Sequence, residues 1–198
     1  MAIGSPNRTA RLEQLRVYAR CQVWSGYREP SAVRAEVLEA VQDEVTEAAE
    51  AERLTDTYLA DARQELVDAA ATWPVPTGYE RLQAALEDLR AADVIVLEAV
   101  EDHWEVNDTL DRLRADGHSP RGVAYFTHTD IWHAIENDML ELNVWHGNAA
   151  NVIDGDELLT LVCHTLERHQ LPAAFDEGRI EVTIQWQRRL SSPRLSPG

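Results

Sequence analysis

The chain has 198 residues, of which 44% are hydrophobic and 27% charged, and this composition argues against disordered, collagen-like and disulfide-scaffold proteins. No uncharged apolar run reaches the roughly 18 residues that a membrane helix requires, and residues 1–11 lack the apolar core of a signal peptide. The net charge of −17, carried with 18 arginines and no lysine, argues against binding to nucleic-acid phosphates and excludes lysine-based catalysis.

The N-terminal part of the chain has the periodicity of helices. Leucines and valines recur every three or four residues from Arg8 to Trp24, and valines recur every four residues after Pro30-Ser31, where Ser31 is the expected cap. The apolar stripe loses its phase around residues 50–55, so we predict a helix break there, with one long helix as the alternative. Prolines at 74 and 76 end this region.

The rest of the chain alternates between helical and strand-like segments. We predict four strands separated by helices, on the apolar or alternating runs at 94–97, 122–126, 140–145 and 180–186. The helices between them are expected at 79–91, from Asn107 or Asp108 onward, at 130–137 and after Asp154.

These segments predict an α+β fold, in which an N-terminal helical segment precedes a four-stranded mixed sheet with helices packed on it. The expected organisation is a helical segment at 1–75, an α/β sandwich at 76–190 and a disordered Ser/Pro-rich tail at 191–198. Cys21 and Cys163 have no metal-binding or redox spacing, so we expect two reduced thiols in a cytoplasmic protein.

Several blocks occur in a fixed order that is familiar from one family. They are Trp73-Pro74, Tyr79 to Leu89, the strand at 94–96, Arg121 to Asp130, Leu140 to Leu142 and a final Trp186-Gln187-Arg188-Arg189. This chain resembles an uncharacterised family of small actinobacterial proteins, a domain of unknown function. The resemblance implies fold and compartment, and no activity. Members often carry a cysteine-rich stretch after the first strand and a histidine at the position of Thr127, whereas residues 98–106 here contain no cysteine.

The richest polar segment lies at a predicted strand-to-helix corner. It contains Thr127, His128, Asp130 and His133, which we predict as the candidate ligand-binding residues. One carboxylate and two imidazoles can hold a divalent metal or act as an acid–base pair. The alternative is that Asp130 caps the helix and that both histidines are ordinary surface residues. No metal or cofactor is predicted, because no known ligand spacing is matched.

Three of the six tryptophans fall in or beside the predicted sheet, namely Trp132, Trp145 and Trp186. They are either core residues or an interaction surface that faces a partner. The chain contains none of the nucleophile motifs G-x-S-x-G or S-x-x-K, and no G-x-G-x-x-G loop.

Two functions therefore stay open. The first is a cytosolic, non-enzymatic binding or regulatory module that contacts a protein partner or a second copy of itself, without nucleic acid or membrane. The alternative is a small metal-dependent or acid–base hydrolase that uses His128, Asp130 and His133.

Overall fold

The computed structural model describes residues 8–190, which divide into two compact units. We name residues 8–73 with 189–190 the helical unit, and residues 74–188 the sheet unit. The expected tail at 191–198 lies outside the described residues.

The helical unit contains three helices around a core of small and β-branched side chains. The helices are α1 (Arg8–Ser25), α2 (Pro30–Gln42) and α3 (Ala48–Ala70). The valines of the four-residue repeat point into this core, and Val37 and Val41 are fully buried. Trp24 packs edge-on against Trp73, with ring centroids 6.3 Å apart.

The helix break was predicted about two turns too late. It lies between Gln42 and Ala48. α2 begins with Pro30, and Glu29 rather than Ser31 occupies its N-cap position, without a capping bond from its side chain. The apolar stripe loses phase at 50–55 because small residues take the inward positions of α3. Ala51 and Thr55 are buried there, and the Thr55 hydroxyl donates to the carbonyl of Ala51.

The sheet unit has an α+β fold with a mixed sheet, as predicted, but the sheet has five strands rather than four. The strands are β1 (Val94–Val100), β2 (Gly122–Thr127), β3 (Met139–His146), β4 (Ala173–Asp176) and β5 (Arg179–Thr183). Their order is β1-β2-β3-β5-β4; β1 and β2 are parallel, and the other neighbours are antiparallel. The missed strand, β4, is too short for its alternation to be recognised.

The last strand also ends earlier than predicted. It stops at Thr183, and the amide of Ile184 then donates to the carbonyl of Asp138 instead of extending the ladder. Ile184 and Trp186 stay buried at 3% exposure each, which explains why the alternation of apolar residues continues beyond the strand.

Four helices belong to the sheet unit. They are α4 (Gly78–Ala91), α5 (His103–Ala115), α6 (His128–Asn137) and α7 (Glu157–Arg168). Three of their starts differ from the predictions. α5 is capped by Asp102, whose carboxylate accepts from two backbone amides, and Asp156 rather than Asp154 precedes α7. α6 begins at His128, after Thr127, rather than at Asp130.

The two faces of the sheet differ. One face carries Leu140, Leu142 and Val144, which are fully buried, and α7 approaches it so closely that a Cβ at Gly122 would lie 2.5 Å from Leu158. The other face is partly covered by α5, which packs on Val123 and Tyr125. Beyond α5, this second face carries the polar side chains of β3 and β5.

Candidate functional site

The site begins where β2 runs directly into α6. Thr127 is the N-cap of α6, and Asp130 is the third residue of the helix, so the two form a capping box. The amide and hydroxyl of Thr127 donate to Oδ2 of Asp130 at 2.7 and 2.8 Å. These bonds fix the orientation of a carboxylate that is only 7% exposed.

Asp130 and His133 lie three residues apart on α6 and therefore share one side of the helix. Glu141 of β3 meets them there, because α6 ends at Asp138 in a left-handed conformation and the chain enters β3 at once. Nδ1 of His133 lies 3.9 Å from Oε1 of Glu141. Within residues 8–190, one metal-ligating atom each from Asp130, His133 and Glu141 lies within 4.8 Å of the other two.

A cation from β5 completes the group. Arg179 is paired in register with Asn143, two residues beyond Glu141, on the same face of the sheet. Its Nη1 atom donates to Oε2 of Glu141 at 3.0 Å, and its Nη2 atom lies 4.0 Å from Oδ2 of Asp176. We call Asp130, His133, Glu141 and Arg179 the corner cluster.

The electrostatics of the corner cluster favour a positive ligand. Burial is the largest cause that raises the pKa of Asp130, and the charge of Glu141 raises this pKa further. The hydrogen bonds from Thr127 and the nearby His133 act in the opposite direction and lower it. Burial, aided by the charge of Asp130, also raises the pKa of the nearby Tyr125 to about 12. Both shifts show that negative charge at this corner is poorly solvated.

Two nitrogen atoms of the corner cluster are buried without a hydrogen-bond partner among the described residues, namely Nδ1 of His133 and Nε of Arg179. An unsatisfied buried polar atom typically costs about 1–3 kcal/mol. A ligand that reaches Nδ1 would remove that cost. Two atoms that bind one tetrahedral ion at about 2.1 Å lie about 3.4 Å apart, so Nδ1 of His133 and Oε1 of Glu141, at 3.9 Å, need to close by about half an ångström, and no pair of the three needs to close by more than about 1.4 Å.

The structure separates the predicted site residues into two groups. Thr127, Asp130 and His133 belong to one arrangement, in which Thr127 orients Asp130. His128 instead lies against Glu101 of the β1–α5 connection, with its Nε2 atom 3.7 Å from Oε1 of the glutamate. The N-cap of α6 is Thr127 and not Asp130, as the alternative had it; Asp130 closes the capping box from the third helical position and also belongs to the corner cluster.

Glu141 and Arg179 were missed by the sequence analysis. Glu141 stands between two buried leucines of β3, and this alternation places it on the polar face of the sheet. The sequence pattern could therefore have identified Glu141. No sequence pattern could have identified Arg179, because its place beside Glu141 depends on the pairing of β3 with β5.

The three tryptophans predicted as an interaction surface differ in environment. Trp186 is 3% exposed and packs edge-on against Tyr79 and Phe126, so it belongs to the core. Trp145 packs against Tyr125 at 5.0 Å, and Trp132 is half-buried on α6. Trp104, at 65% exposure, is the strongly exposed tryptophan of the described region, at the start of α5.

Comparison with known proteins places the chain in a family. Among residues 8–190, no helix is long and apolar enough to cross a membrane. No curated protein and no solved structure matches the chain. One family model matches it over residues 8–190, nearly the whole chain, and it describes a domain of unknown function. The chain therefore belongs to the DUF6891 family.

Proposed function

We propose that the chain is a non-enzymatic binding module that takes up a divalent metal ion at the corner cluster. The observation that carries this proposal is Nδ1 of His133, which is buried, has no hydrogen-bond partner among the described residues and lies 3.9 Å from a carboxylate oxygen of Glu141. Asp130 stands within reach of the same point.

The donor set indicates the class of metal. One imidazole and two carboxylates suit Zn²⁺, Mn²⁺ or Fe²⁺, whereas Ca²⁺ takes six to eight oxygen ligands. Thr127 holds one oxygen of Asp130, as outer-shell partners of metal ligands commonly do. Three protein ligands leave further coordination positions open to water or to a group of a partner.

Charge supports the same ligand class. Residues 74–188 contain eight arginines and 22 acidic residues, a net charge of −14. Such a surface attracts cations and raises their local concentration. It also disfavours an anionic metabolite as the first ligand of the site.

We further propose that the partner is another protein, which the metal-bound module contacts inside the cell. Trp104 supports this, because exposed tryptophans are enriched in the centres of protein interfaces. The two cysteines are free thiols in the described residues, which fits a reducing compartment. The predicted actinobacterial origin belongs to this proposal as well, and a second copy of the chain is the alternative partner.

The test is calorimetric titration of the metal-free protein with Zn²⁺ and Mn²⁺ at pH 7. We expect one site per chain, which Asp130→Asn and Glu141→Gln each weaken by at least tenfold. The amide oxygen of the introduced asparagine can still accept the bond from the amide of Thr127, so the helix cap is kept. His146→Gln is the control, because His146 also faces a carboxylate, Asp156 at 3.0 Å, outside the cluster. Equal binding by all four proteins, or none by the wild type, contradicts the proposal.

A second candidate function rests on a specific observation, the raised pKa of Asp130 beside an imidazole. A buried carboxyl of this kind can donate a proton, and His133 can accept one, as in acid–base hydrolysis. Activity of the metal-loaded protein on p-nitrophenyl esters and phosphates, lost in Asp130→Asn but kept in His146→Gln, would favour the enzyme. Hydrolysis that survives in Asp130→Asn would count against it.

A further inference from the structure

We propose that Arg179 is a built-in competitor of the metal ion, and that it moves from Glu141 to Asp176 when the ion binds. This inference rests on the proposed function, because it concerns the regulation of the same site. Metal affinity is then set partly by a residue that is not a ligand.

The two oxygens of Glu141 face different neighbours. Oε1 faces Nδ1 of His133 at 3.9 Å, on the side where the ion would bind, and Oε2 accepts from Nη1 of Arg179 at 3.0 Å. Glu141 is 17% exposed at its side chain, so its charge is poorly screened by water. A divalent ion beside Oε1 would repel the guanidinium that holds Oε2.

A second carboxylate that can pair with the guanidinium lies close by. Asp176 precedes Arg179 by three residues across the β4–β5 turn, and its Oδ2 atom lies 4.0 Å from Nη2 of the arginine. Both side chains are about half-exposed, at 42% and 50%, so a small rotation at the sheet surface exchanges one carboxylate for the other. Nε of Arg179 has no hydrogen-bond partner among residues 8–190, so the rotation would break no hydrogen bond of this atom.

The exchange couples the metal site to the β4–β5 hairpin. Coupling between two sites is reciprocal, so a metal that favours the pair Arg179–Asp176 is itself favoured by that pair. The hairpin carries Asp176 at the end of the sheet edge strand β4. A partner that contacts this edge and binds Asp176 in place of Arg179 would lower the affinity of the corner cluster for the metal.

The experiment is a Zn²⁺ titration of four variants in pairs of equal charge. Arg179→Gln is compared with Arg112→Gln on the exposed side of α5, and Asp176→Asn with Asp108→Asn on the same helix. We expect Arg179→Gln to bind Zn²⁺ about tenfold more tightly than Arg112→Gln, because the competitor is gone. We expect Asp176→Asn to bind Zn²⁺ about threefold more weakly than Asp108→Asn, because it lacks the second carboxylate that can pair with Arg179.

A direct readout follows the arginine itself in the unmodified chain. The ¹⁵N resonance of Arg179 Nε should move when Zn²⁺ is added to the wild type and should stay in place in Asp130→Asn. Any one of three results overturns the inference: Arg179→Gln binds Zn²⁺ no more tightly than its control, Asp176→Asn binds it no more weakly than its control, or the Arg179 resonance does not move. Failure of the proposed function looks different, since neither the wild type nor Arg179→Gln would then bind Zn²⁺ better than Asp130→Asn.

Discussion

Both units pair arginines with carboxylates, but among the described residues histidine–carboxylate pairs occur in the sheet unit alone. In the helical unit, arginines of α1, of α2 and of the connection between them reach carboxylates of neighbouring segments, in the pairs Arg11–Glu44, Arg16–Asp61, Arg20–Glu65, Arg28–Glu36 and Arg34–Asp56. All seven histidines of the chain belong to the sheet unit. Five of them face a carboxylate within 4.0 Å, in the pairs His118–Asp93, His128–Glu101, His133–Glu141, His146–Asp156 and His169–Asp88.

This difference indicates which unit can respond to pH and to metal ions. Arginine keeps its charge at every physiological pH, so the pairs of the helical unit are permanent. Histidine changes charge near neutrality and binds metals, so the sheet unit carries the groups that titrate and coordinate. We therefore expect pH and metal ions to act on the sheet unit and to leave the helical unit largely unchanged.

The largest expected effect separates the units by their cores. Leu142 of β3 and Leu59 of α3 are both almost completely buried, and truncating either to alanine should cost about 2–5 kcal/mol. Because each leucine packs within its own unit, Leu142→Ala should raise hydrogen exchange in peptides from 74–188, and Leu59→Ala in peptides from 8–73. Hydrogen-exchange mass spectrometry measures both. Equal acceleration across the chain from one substitution would show that the units unfold as one body.

The sequence was informative wherever one local pattern decides the structure. The repeat from Val33 to Val45 predicted an apolar helix face. Val33, Val37 and Val41 form that face on α2, and Val45 is buried in the connection that follows the helix. The apolar run at 94–97 predicted β1, and the alternation at Leu140 and Leu142 predicted β3. In each case a single period of two or four residues was enough, because local burial alone sets the pattern.

The sequence failed where the structure depends on partners distant in the chain. β4 has only four residues and is a strand because β5 pairs with it. Arg179 reaches Glu141 across 38 residues for the same reason. The corner was found from the residues near Asp130, but His128 was grouped with His133 because proximity in sequence does not tell which side of a helix start a side chain takes.

The next expected effect concerns the charge buried in the sheet unit. The pKa of Asp130 is raised in the folded state, so its contribution to stability is present below the ordinary value of 3.8 and is lost as the pH rises through the folded pKa. Asp130→Asn should therefore gain stability relative to the wild type between pH 4 and pH 7, by less than the Leu142→Ala loss. Urea unfolding in chelator at both pH values tests this, with Asp108→Asn as the control. A gap between variant and wild type that is constant with pH would contradict the expectation.

A smaller effect of opposite sign comes from a histidine pair at the surface. The bond with His169, at 2.8 Å, lowers the pKa of Asp88 and joins α7 to α4. Its stabilising contribution is present above the ordinary value of 3.8 and is lost as the pH falls through the folded pKa. His169→Gln should be less stable than the wild type at pH 5, and the difference should shrink as the pH falls below 3.8. His164→Gln, on the exposed side of α7, is the control and should change neither value.

The smallest effect is expected in the helical unit. Nη2 of Arg16 lies 3.0 Å from Oδ2 of Asp61, and both side chains are nearly half-exposed, so water screens the pair. Arg16→Gln should lower the free energy of unfolding by less than about 1 kcal/mol, and 0.5 M salt should shrink that loss. Urea unfolding should give nearly the same loss at pH 5 and pH 8, because residues 1–73 contain no histidine. A loss that changes strongly across this range would contradict the expectation that pH leaves the helical unit largely unchanged.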